Sequence, residues 1–193
     1  MKILLTKSAV LILIISLLTS CKHDDGDVAK PANPNETELI TTVKLLVTTG
    51  LATRTEEYAY RDIDGDGGNA PIIDTIRLFS NTSYWVSVLL LDETKNPVDT
   101  ISEEILANEK NAHQVFYSKI GTYNLTTTYL DFDDHNVPVG LTVQLNTTTG
   151  FTEKTNKLRI VLKHQPGLKP TSGVGDESLG ETDVEVYFPI LIQ

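Results

Sequence analysis

The sequence predicts an all-β domain: an antiparallel β-sandwich of immunoglobulin-like type with one short crossover helix near 101–112. Two observations favour this class. Runs of β-branched and apolar residues recur along the chain, with turn-forming residues between them. Only one stretch has the composition and start signal of a helix. The repeated strand–helix units of a doubly wound α/β fold are therefore absent.

Strand composition recurs in segments 39–48, 57–61, 72–79, 84–91, 115–119, 122–131, 141–146, 157–163 and 183–192. Segments 141–146 and 183–192 alternate apolar and polar residues with a period of two, so each is expected to bury one face. Pro189 in the last segment is typical of an edge strand. Trp85 lies in an apolar run and is expected in the core.

The predicted helix lies between the strands at 84–91 and 115–119. Thr100 and Glu103 have the spacing of a capping box, and 103–112 consists mainly of good helix formers. Ile105, Leu106 and Ala112 are expected to face the core.

The N-terminal segment 1–20 is predicted to be a signal peptide. A short basic start precedes the apolar run 9–18, which is too short to span a bilayer. The segment 18–21 (LTSC) resembles the lipobox of bacterial lipoproteins. That resemblance implies that Cys21, the only cysteine, becomes the mature N-terminus and carries acyl chains such as palmitate.

Residues 21–36 are predicted to form the lipidated cysteine and a flexible tether, followed by a β-sandwich domain over 37–193. The tether contains Pro31 and Pro34 and has no apolar period. Loss of Lys2 and Lys7 with the leader changes the formal charge from −10 to −12. Such an acidic protein disfavours nucleic acid as a partner and suits cations, basic surfaces or neutral glycans.

Several motifs in order resemble a family of small outer-membrane lipoproteins of Gram-negative bacteria. They are ELITTV (38–43), DIDGDGG (62–68), DTIRL (74–78), AHQVFY (112–117), LRIVLKHQPG (158–167) and GETDVEVYFPI (180–190). The resemblance implies an outer-membrane location beside a TonB-dependent receptor, with no assigned biochemical activity. Some members carry the label "type 1 periplasmic binding fold", which the strand pattern does not support. Lys22 after the cysteine implies the outer membrane; the periplasmic and the cell-surface face both stay open.

Three aspartates alternate in the sequence RDIDGDGG (61–68). Alternate carboxylates followed by glycine are typical of calcium loops, and the candidate calcium ligands are Asp62, Asp64, Asp66 and Asp74. The residue at the position of the closing glutamate of such a loop is Ile73. A tight turn between two strands, using Asp-Gly pairs, is therefore the favoured interpretation, and calcium is the alternative.

His113 and His164 could bind Zn²⁺ or Cu²⁺ if strand pairing brought them together, with Asp, Glu or His135 completing the shell. Their separation in sequence neither supports nor excludes this. Two unrelated surface or capping histidines are the favoured interpretation, because no short ligand spacing is present.

The sequence contains neither an enzyme motif nor a nucleotide-binding fingerprint. We therefore expect a non-enzymatic outer-membrane lipoprotein, a binding or accessory module for TonB-dependent uptake of a small or metal-containing nutrient. The alternative is a structural or adhesive surface lipoprotein stabilised by calcium.

Overall fold

The computed structural model describes residues 39–50, 54–65, 67–150 and 155–193. These residues belong to one compact unit, Pro34–Gln193. The predicted signal peptide, Cys21, the tether and Asp66 lie outside the described residues. Within the described ranges, none of the helices has the length and apolar character needed to cross a membrane.

The first sheet has seven strands, all in antiparallel pairs. Its main order is β3-β2-β1-β5-β9-β8, and β6 pairs with the far end of β5. The strands are β1 (Thr42–Thr49), β2 (Thr55–Arg61), β3 (Ile72–Ile73), β5 (Ser83–Asp92), β6 (Asp99–Thr100), β8 (Leu125–Tyr129) and β9 (Thr142–Thr147). The apolar strand β5 lies between β1 and β9, as its composition predicts.

The second sheet has four strands in the order β4-β11-β10-β7. They are β4 (Ile76–Leu78), β7 (His113–Ile120), β10 (Lys157–His164) and β11 (Glu181–Ile192). β10 pairs antiparallel with both neighbours, whereas β4 pairs in parallel with the end of β11. This parallel pair begins at Ile190, one residue after Pro189. The absence of an amide hydrogen on Pro189 therefore removes no hydrogen bond between β11 and β4.

Side chains from both sheets meet in one core, which confirms the predicted all-β sandwich. Alternation along β5 directs Val86, Val88 and Leu90 inward, and each is at most 2% exposed. Ile160 and Phe188 of the second sheet belong to the same cluster. Burial of each such side chain contributes roughly 1.5–3 kcal/mol, so the two facing patterns hold the layers together.

Trp85 differs from its prediction and is 45% exposed. The inward positions of β5 are 84, 86, 88 and 90, so residue 85 must face outward. Strand parity therefore overrides the apolar character of the side chain.

The predicted strand 72–79 is divided between the two sheets. β3 pairs with β2 in the first sheet, and β4 pairs with β11 in the second. Asp74 and Thr75 lie between them, and the Asp74 carboxylate accepts a hydrogen bond from the Ala59 amide at 2.9 Å. The chain thus crosses from one layer to the other at this point.

The predicted helix is present but short. An α-helical turn, α1 (Ile101–Glu104), continues as a π-type turn, Ile105–Glu109. The expected capping box does not form, because Thr100 makes no side-chain cap. Ile105 is fully buried and Ala112 half-buried, whereas Leu106, expected to face the core, is exposed.

The long connection between β10 and β11 is fastened by buried polar side chains. Gln165 Nε2 donates to the carbonyls of Asp176 and Leu179 at 2.6 and 2.9 Å. Lys169 Nζ forms an ion pair with Asp133, 2.9 Å from Oδ2, without the angles of a hydrogen bond. The same amine donates a hydrogen bond to the Lys110 carbonyl. The connection therefore leads from His164 back to β11 along a fixed path.

Candidate metal centre

Two histidines lie directly opposite each other at one end of the second sheet. β7 begins at His113 and β10 ends at His164, and the antiparallel register pairs these two residues. Alternation places His113 on the same side as Val115, and His164 on the same side as Leu162. Both imidazoles therefore face the interior.

Asp183 reaches the same place through a β-bulge. Leu162 pairs with Val184 and Lys163 pairs with Thr182, so Asp183 is an extra residue without a partner on β10. Regular alternation would have directed this side chain away from Val184 and toward the outside. A bulge re-aims side chains and is common next to functional sites. Here it brings the carboxylate within reach of the histidine pair.

The three side chains form a compact buried cluster. Their potential ligand atoms all lie within 4.8 Å of one another. The imidazole rings stack with centroids 4.5 Å apart and an angle of 4° between their planes. His113 and His164 are 2% and 8% exposed and lie together, so they are not unrelated surface histidines. His113 does contact the Glu109 carbonyl at the end of the helical segment, as the capping interpretation expects.

The hydrogen bonding of His113 fixes which nitrogen faces the carboxylate. Nδ1 lies 3.2 Å from the Glu109 carbonyl, which can only accept, so Nδ1 carries the proton. Burial lowers the pKa of His113 to about 4, so the ring is neutral at neutral pH. Its Nε2 then presents a lone pair 3.7 Å from Oδ2 of Asp183, and this contact is not an ion pair.

The Asp183 carboxylate is the least satisfied group in the cluster. Its side chain is 2% exposed, and Oδ2 has no hydrogen-bond partner among the described residues. The pKa of Asp183 is raised to about 6, chiefly by burial; the nearby Glu181 and Glu109 act in the same direction, and His164 and Lys163 act in the opposite direction. At neutral pH two electron-pair donors thus face each other without a proton between them. Such an arrangement destabilises the folded state unless a cation binds to both donors.

The spacing of these two donors suits a transition metal. Two ligand atoms at 2.0–2.1 Å from a tetrahedral Zn²⁺ lie about 3.4 Å apart. The observed 3.7 Å is close to that value. Neutral imidazole and carboxylate are ligands for Zn²⁺ and Cu²⁺, whereas Ca²⁺ prefers oxygen alone.

The aspartate loop connects the antiparallel strands β2 and β3. Asp62 Oδ1 accepts from the Gly65 amide at 3.0 Å, and Asp64 Oδ2 accepts from the backbone and side chain of Asn69. Asp74 bonds to Ala59, on the adjoining strand. Since Asp66 lies outside the described residues, calcium at this loop stays a prediction.

Comparisons of the chain with protein-family models, curated proteins and solved structures found no significant match. The assignment of the site therefore rests on its own geometry.

Replacement of Asp183 by asparagine is expected to stabilise the metal-free protein at neutral pH. The folded-state pKa of Asp183 is raised, so its contribution to stability is fully present below about pH 4 and is lost as the pH rises through about 6. Asparagine does not ionise, and its amide can donate to Nε2 of His113. In urea unfolding, the advantage of Asp183→Asn should be near zero at pH 4 and on the order of 2 kcal/mol at pH 7.5.

The control is Glu185→Gln, two residues along the same strand. Glu185 is paired with Arg159 and hydrogen-bonded to Tyr187, so its loss should leave stability unchanged or lower it slightly. If Asp183 and His113 formed a structural ion pair, Asp183→Asn would lower the free energy of unfolding at pH 7.5. Such a destabilisation would contradict our description of the cluster.

Proposed function

We propose that the protein is a non-enzymatic, lipid-anchored module of the outer membrane that captures a divalent transition metal. His113, His164 and Asp183 are the ligands. One observation carries the proposal: a buried carboxylate oxygen without a hydrogen-bond partner faces the lone pair of a neutral imidazole. A bound cation would relieve that repulsion, and the fold supplies no donor of its own to do so among the described residues.

Metal binding requires one change in the cluster. A metal lies in the plane of each imidazole that binds it, so two parallel stacked rings cannot both reach one ion. Glu109 fixes the ring of His113 through Nδ1. His164 is therefore the ring that turns about its side-chain bonds, and its stacking on His113 is lost when the ion binds.

The anchoring and the uptake role are supported by the sequence. The lipobox-like segment ends at Cys21, and acyl chains on one residue give stable attachment to a membrane. The family resemblance supports work beside a TonB-dependent receptor. The negative charge of the chain favours a cationic ligand over an anionic one. In this proposal the module holds a metal ion close to the receptor that imports it.

Zn²⁺ and Cu²⁺ are expected to raise the thermal unfolding temperature, and Ca²⁺ and Mg²⁺ are not expected to do so through this site. A ligand at 100 times its dissociation constant stabilises the folded state by about 2.7 kcal/mol. His113→Gln, His164→Gln and Asp183→Asn should each abolish most of the shift produced by Zn²⁺. The readout is the metal-induced shift, so a lower starting temperature in a variant does not affect the comparison.

The matched control is His135→Gln, because His135 is exposed and lies outside the cluster. It should keep the full shift. The proposal fails if neither Zn²⁺ nor Cu²⁺ shifts the wild-type protein at any concentration. It also fails if His135→Gln loses the shift while the cluster variants keep it.

Replacement of Cys21 by serine is expected to release the protein from membranes. Serine cannot receive the thioether-linked lipid, so the variant should move from the membrane pellet to the soluble fraction after cell fractionation. A Lys22→Ala variant keeps the cysteine and should stay in the pellet. Persistent membrane attachment of Cys21→Ser would show that something other than a lipid holds the protein there.

A further inference from the structure

An acidic cleft lies beside the candidate metal centre and shares Asp183 with it. A cavity of about 410 Å³ lies between the aspartate loop and the start of β11. Asp62 and Asp64 line one side, Asp183 and Glu185 line the other, and Leu39 and Tyr60 form part of the wall. Asp183 therefore belongs to both the cleft and the cluster of ligands.

The charge of this cleft is of one sign. Neither lysine, arginine nor histidine is among its lining residues. Glu185 pairs with Arg159, which it shares with Glu177, so the loop carboxylates carry most of the open negative charge of the cleft. Hydrogen bonds from the backbone and side chain of Asn69 lower the pKa of Asp64, which keeps it ionised. Both loop carboxylates accept hydrogen bonds from the loop backbone.

The buried end of the cleft supplies an independent indication of a cation. The side chain of Asp183 is 2% exposed and its Oδ2 has no partner among the described residues. Asp183 belongs to both the cleft and the cluster, and its Oδ2 lies 3.7 Å from Nε2 of His113. A cleft lined by one sign of charge concentrates counter-ions and raises association rates about 10- to 1,000-fold.

We propose that this cleft is the entrance to the metal centre, and that Asp62 and Asp64 attract hydrated metal cations into it. In this proposal the aspartate loop attracts the ion electrostatically and is not a ligand of the ion once it is bound at the metal centre. The same charges repel metal bound to an anionic chelator, so the substrate class is the hydrated cation. This inference rests on the proposed metal site.

Stopped-flow binding of Co²⁺ to the full-length protein tests the entrance. Co²⁺ substitutes for Zn²⁺, and its visible absorption reports the ligand set. At about 0.01 M ionic strength, where the Debye length is about 30 Å, Asp62→Asn/Asp64→Asn should lower the association rate several-fold. At about 1 M the difference should disappear. Asparagine keeps an acceptor oxygen for each loop hydrogen bond, and the bound spectrum should match wild type.

The control is Asp99→Asn/Glu103→Gln, which changes the net charge equally at exposed residues that do not line the cleft. Its association rate should stay close to that of the wild type. A second arm supplies Co²⁺ as its anionic nitrilotriacetate complex, and the loading rate should follow the free ion and not the complex.

The other outcomes overturn either the entrance or the metal site itself. Equal rates for the cleft variant and the control overturn the entrance, and so does direct loading from the anionic complex. A changed Co²⁺ spectrum in the cleft variant makes Asp62 or Asp64 a ligand and also overturns it. Absence of any Co²⁺ spectrum in the wild type overturns the metal site itself, which separates the two failures.

Discussion

The antiparallel register between β7 and β10 is the constraint on which the site depends. The apolar side chains of both strands must face the first sheet. Val115 and Leu162 lie opposite each other and both belong to the core. The same register places His113 opposite His164 two residues further along, on the same face. A shift by one residue would turn every one of these side chains to the other face. The packing of the core therefore fixes the histidine pair.

The bulge at Asp183 adds a carboxylate to this pair at a cost in stability. A buried charge without a partner destabilises the folded state, and here the raised pKa of Asp183 records that cost. Elsewhere in the described part of the chain, buried charged groups have a partner: Asp133 is paired with Lys169, and Lys163 donates to the Thr182 hydroxyl. The exception lies where two strands and a bulge converge on one point, which is typical of a functional site and not of a structural one.

Much of the fold could be predicted from local patterns. The alternation in 141–146 and 183–192 correctly predicted strands with one buried face, because successive side chains of a strand point to opposite faces of the sheet. Prediction failed where pairing between distant strands determines which sheet a segment joins. The segment 72–79 reads as one strand, yet its halves join different sheets.

The site was harder to predict, for the same physical reason. His113 and His164 carry no spacing signal, since β-pairing between distant strands brings them together. Asp183 fell on an outward position of the expected alternation, and only the bulge directs it inward. Nothing in the residues Glu181, Thr182 and Asp183 marks that bulge. The π-type turn that supplies the Glu109 carbonyl to His113 was likewise hidden within an ordinary helical composition.

A crystal structure of the Zn²⁺-loaded protein, with anomalous diffraction recorded on both sides of the zinc absorption edge, tests the central claim most directly. Our account predicts one strong anomalous peak at about 2.0–2.1 Å from His113 Nε2 and from the Asp183 carboxylate, with the His164 ring turned out of its stack to bind the same ion. A peak at the aspartate loop, or an unchanged histidine stack without a peak beside it, would contradict the account.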